Sequence, residues 1–164
     1  MSRRGSLARL VAPGSLALVG LLALVAEAKV GDAVVAAFKG KIVLSRAAVG
    51  EGANDKDTIA RLKAAQLTEL AGKPGDDGES WTFHYMAFLR KTGNVGLRLQ
   101  FVSAELDRRL AAEIAIPIPD VDSPVLAGEL TVGESRGLSR GKAYLLKLVN
   151  DKGEVVAKTS ATFK

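Results

Sequence analysis

Apolar residues recur at every second position through most of this chain, and at helical spacing in only one segment. The alternation is clearest over residues 80–90. Trp81, Phe83, Tyr85, Ala87 and Leu89 fall on one face there, and Thr82, His84, Met86, Phe88 and Arg90 on the other. The first face is continuously apolar and the second half apolar. This pattern predicts a central strand covered on one side and partly covered on the other. Six further segments alternate in the same way: 38–45, 95–101, 110–118, 125–132, 142–150 and 154–163. Pro117 and Pro119 cannot donate to a ladder, so 110–118 is expected at a sheet edge, and 154–163 is a second edge candidate.

Between the strands the polar stretches are turn formers. Lys91-Thr-Gly-Asn94 and Asn150-Asp-Lys-Gly153 read as tight hairpin turns, and 133–141 as a long flexible connection. Residues 29–37 read as a short apolar leader able to join a sheet edge. The single helical pattern covers 57–70, where Ile59, Leu62, Gln66, Leu67 and Leu70 share a stripe. Asp55 or Asp57 is placed to cap it, and Gly72, Pro74 and Gly75 stop it. The expected fold is mainly β: a seven-stranded antiparallel sandwich of immunoglobulin-like or C2-like type, with one helix inserted near residues 57–70. A small barrel is the alternative.

The N-terminal 28 residues follow a different rule. Arg3, Arg4 and Arg9 precede an apolar run over 10–26, which ends in Ala26-Glu27-Ala28 just before Lys29. A basic start, an apolar centre and an Ala-x-Ala end predict a bacterial export signal over residues 1–28, with a single domain over 29–164. The strongly apolar part is short for a membrane-spanning helix. Without this segment the net charge falls from +5 to +3, so part of the basic character belongs to the leader. A charge of that size argues against nucleic acid as a partner. The chain has no cysteine, which excludes disulfides, thiolate metal sites and a cysteine nucleophile. An exported domain of this kind must be held by its core alone.

Little in the sequence carries chemistry. His84 is the only histidine, so a zinc site would lack imidazole partners. A Ser-His-Asp arrangement lacks the Gly-x-Ser-x-Gly elbow. His84 is therefore expected in or near the core, with Met86 and Phe88 under the helix. The loops offer Asp76, Asp77 and Glu79 as calcium candidates, with Asp120 and Asp122 as the carboxylates that would complete such a site. Arg136, Arg140 and Lys142 form a basic loop, diluted by Glu134. The expectation is an exported, periplasmic or secreted, non-enzymatic protein that needs no cofactor. It would bind another envelope or secreted protein or support an envelope structure. A calcium-dependent or small-ligand-binding domain is the alternative.

Overall fold

The computed structural model describes residues 25–26, 30–105 and 107–164. The expected leader thus lies outside the described residues except for Val25–Ala26. The chain is mainly β and forms two stacked sheets. In order, its elements are β1 (Val25–Ala26), α1 (Asp32–Phe38), β2 (Ile42–Ser45), α2 (Asp55–Ala65), β3 (Glu69–Leu70), β4 (Lys73–Gly75), β5 (Gly78–Phe88), β6 (Arg98–Ser103), β7 (Leu110–Ala115), β8 (Val125–Gly133), β9 (Lys142–Val149) and β10 (Val155–Phe163). The first sheet runs β1-β8-β5-β2, with β4 also paired to β5. The second runs β3-β10-β9-β6-β7.

Alternation decides what each strand buries. On β5, Trp81, Phe83, Tyr85 and Ala87 face inward with Ile42 and Leu44 of β2 and Leu126, Leu130 and Val132 of β8. The second sheet answers with Leu99, Phe101, Tyr144, Leu146, Leu148, Ala157, Ala161 and Phe163. Phe163 is the hub. The rings of Trp81, Tyr144 and Phe101 meet it edge-on at centroid distances of 5.2, 5.3 and 6.0 Å, a geometry that aromatic quadrupoles favour. The buried Trp81 indole N–H is not stranded, because it donates to the Lys164 carbonyl at 3.1 Å.

The outer face of the first sheet explains the half-apolar side of β5. Phe88, Val43 and Val125 are covered by α1 and α2 through Val34, Phe38 and Leu62, and Met86 packs at the margin. Phe38 stacks on Phe88 at 5.1 Å. The expectation that Met86 and Phe88 lie beneath a helix is thus met, but His84 does not go with them.

Several boundaries differ from the sequence reading, each for a local reason. Of the residues 29–37 expected to join a sheet edge, the described ones, 30–37, do not: Asp32–Phe38 is helical, because Val34 and Phe38 stand one turn apart and both reach the same buried cluster. The first long strand begins at Ile42 rather than 38, after Gly40 takes a φ of 77° and reverses the chain. The helix expected over 57–70 spans Asp55–Ala65. Its cap is Asn54, whose Oδ1 accepts the Asp57 N–H at 3.0 Å. The segment after it runs extended into β3, which pairs in parallel with β10.

Two further expectations on connections and edges are corrected. Lys91–Asn94 is no hairpin, since β5 and β6 belong to different sheets and this turn carries the chain between them. Residues 154–163 are no edge either: β10 is flanked by β9 and β3. The seven expected strands are joined by three short ones, β1, β3 and β4, among the described residues. Segment 133–141 holds a single turn of 3-10 helix over Glu134–Arg136, and its Leu138 is buried.

Candidate functional site

The open part of the first sheet's outer face carries the most polar chemistry. Beyond the helices, the registers place Ser45 of β2 beside His84 of β5, and His84 beside Glu129 of β8. His84 Nε2 lies 2.9 Å from Glu129 Oε2, with the imidazole side chain 27% exposed. One step along, the Thr82 and Thr131 hydroxyls share a hydrogen bond of 2.8 Å. Ser, His and Glu on three adjacent strands match the residue types of a nucleophilic triad. Their geometry does not: the Ser45 hydroxyl is buried and donates to the Ala47 carbonyl at 2.8 Å, away from the imidazole. The arrangement supplies a cross-strand His84–Glu129 contact on the outer face of the sheet.

The acidic loops stand apart from one another. Asp76 and Asp77 occupy the exposed turn between β4 and β5, at the end where Ser80 pairs with Gly133. Asp120 and Asp122 precede β8 at the other end, where Val125 pairs with Phe88. The ladder between them is roughly 27 Å long at the rise of an antiparallel strand, too far for shared ligation. The Asp120 carboxylate accepts the Asp122 N–H at 2.9 Å. Among the described residues, no group of three or more Asp, Glu or His side chains is arranged to hold a metal ion.

Glu79 and the basic loop answer each other. Arg140 Nε lies 3.5 Å from Glu79 Oε2, and the Glu79 N–H donates to Glu134 Oε2 at 3.2 Å. Lys142 pairs with Glu105, which holds its ammonium above the ordinary lysine range. The two loops read from sequence as opposite candidate sites are in part partners.

Two features escaped sequence reading. Asn94 and Asn150, which look like turn residues, are buried. Asn150 Nδ2 donates to Glu154 Oε2 at 2.8 Å and to Asn94 Oδ1 at 3.3 Å, while its Oδ1 accepts the Lys152 and Glu154 N–H groups. This knot ties the β5–β6 crossing to the β9–β10 turn. The second feature is Tyr85, whose ring crosses Gly128 on the inner face. A Cβ on Gly128 would stand 2.9 Å from the Tyr85 hydroxyl. That hydroxyl is buried and has no hydrogen-bond partner among the described residues. Burial pushes its pKa up to about 12.

The strand edges complete the surface. The β2 edge is closed by a Lys41–Lys158 bridge and by the Leu67 N–H donating to the Leu44 carbonyl at 2.8 Å. β7 is an edge strand, as the prolines predict. Its partner side is set by the Ile116 N–H donating to the Leu97 carbonyl, so the main-chain groups of Glu113 and Ala115 point away from β6. By the same alternation, the Leu89 N–H on the Pro124 carbonyl turns those of Val125, Ala127, Glu129 and Thr131 away from β5. At that outer edge β1 pairs antiparallel, Val25 with Gly128 and Ala26 with Ala127.

No protein-family model matches this chain. A search of curated proteins likewise finds no significant relative.

Proposed function

We propose that this chain is an exported, non-enzymatic β-sandwich of the periplasm or cell exterior. On this reading it binds another envelope or secreted protein through a sheet edge. One observation carries the reading. Each sheet has, at or next to one end, a strand of six or nine residues whose outer main-chain groups meet no described strand (β7) or a two-residue one (β8). Such an edge is a ready template for a strand of another chain. The His84–Glu129 contact, with the Ser45 hydroxyl given to the Ala47 carbonyl, supports a binding role over catalysis. The basic start and Ala-x-Ala end of residues 1–28 support export.

The test is to express the full chain with a C-terminal tag in a bacterial host, fractionate the cells, and measure the mass of the exported form in solution. A stoichiometric complex recovered from the envelope fraction is the expected result. A solitary monomer at every concentration, with no co-purifying protein, would remove the support for this reading.

A further inference from the structure

The two-residue strand β1 belongs to the segment whose sequence reads as a cleaved leader, yet it occupies the outer edge of β8. Cleavage after Ala28 would take it away. The main-chain groups of Ala127 would then lose their only described partner, and those of Glu129 and Thr131 would continue the open edge. We infer that the β8 edge from Ala127 to Thr131 is the docking site for an extended segment of another protein, which adds antiparallel to the first sheet in the place of β1. This rests on the export reading above.

Three observations say what the segment looks like. β1 shows the direction and register that the edge accepts, and its residues are small and apolar. Gly128 presents no side chain on the inner face, so the incoming residue opposite it meets the Tyr85 hydroxyl rather than a Cβ. That hydroxyl is buried without a partner among the described residues, and it lies over Gly128, whose main chain is one strand spacing, about 4.8 Å, from that of the incoming segment. A small side chain with a hydroxyl, Ser or Thr, opposite Gly128 would satisfy it. The occupant is therefore an extended segment of small apolar residues with a small hydroxylated residue at that one position. The other long edge is the poorer site. On β7 the Glu113 carboxylate is held by Gln100 at 2.7 Å, Pro117 lacks a donor, and Gly137 lies against the Ala111 carbonyl.

The experiment uses the exported form isolated from the envelope fraction of cells expressing the full chain. Mass spectrometry first establishes whether it begins at Lys29. The probe is a synthetic peptide of residues 16–28 of this chain, and a second peptide carries Val25→Thr. Saturable binding of the first peptide is expected, with tenfold or greater weakening by Ala127→Pro, whose lost N–H faces the edge and not β5. Because a proline can disturb the strand, Tyr85→Phe provides the independent arm. The Val25→Thr peptide should bind several-fold more tightly than the parent to the native protein, and that advantage should vanish in Tyr85→Phe.

A form starting at Lys29 that binds neither peptide overturns the docking site and leaves the export reading intact. An exported form that keeps residues 1–28 overturns the docking site, because β1 then stays on the edge, whereas a product found only in the cytoplasm overturns the export reading. A dimer that the peptide dissociates would overturn the choice of occupant in favour of a second copy. A Thr advantage that survives Tyr85→Phe would overturn the role of the phenol.

Discussion

Tyr85 is the residue whose chemistry is least reconciled with its surroundings. Its hydroxyl gives up water without gaining a described partner, a loss of about 1–3 kcal/mol for such groups. In the full chain without a partner, Tyr85→Phe should therefore raise stability by about 1 kcal/mol in urea melts. A pH effect accompanies it. The folded pKa is raised to about 12 against the ordinary 10.0, so the unfolded chain ionises first. The Tyr85 contribution is then fully present below pH 10 and is lost as pH rises toward 12. Denaturant melts at pH 9 and 11 should show a smaller alkaline loss for Tyr85→Phe than for the native chain. Glu154 runs the opposite way. Lys91 and Asn150 hold its carboxyl below the usual 4.5, so its stabilisation is present above that pH and fades as pH falls. Asn150→Ala should cost about 1–3 kcal/mol, because it strands the Asn94 Oδ1 and two turn N–H groups. The rest of this chemistry was hidden for a common reason. Asn94, Asn150 and Gly128 look like ordinary turn and strand residues until distant elements meet them.

At the scale of elements, periodicity was most legible where a strand is covered on one face only. The seven expected strands are all present because their apolar residues alternate against a single core. The misreadings cluster where a second covering layer intervenes. Residues 32–38 look like a small apolar run, but Val34 and Phe38 serve a helix on the outer face. β2 is buried at all four positions for the same reason, so the alternation read over 38–45 does not separate a covered face from an open one there. The Lys91–Asn94 turn misled because local turn chemistry is the same whether the chain returns in the same sheet or crosses to the other. The helical layer should prove a semi-independent unit. Leu62→Ala, at a fully buried position, should cost about 2–5 kcal/mol. Asn54→Ala, which removes only the cap, should cost about 1 kcal/mol. Both are measurable by thermal melts, with the β signature retained below the transition.

For the whole molecule, the arrangement of the β10 strand has a kinetic consequence. Phe163 is the ring that Trp81, Phe101 and Tyr144 all meet, and β10 lies inside its sheet between β9 and β3. Neither sheet can close its core until this late stretch of sequence has been made. A nascent chain therefore emerges with the aromatic face of β5 uncovered until β10 follows it. On the export reading proposed above, such a chain would stay threadable through a narrow translocation channel, with its exposed strands open to holdase chaperones. Folding, dominated by pairings between distant segments, then falls in the slower range for small domains.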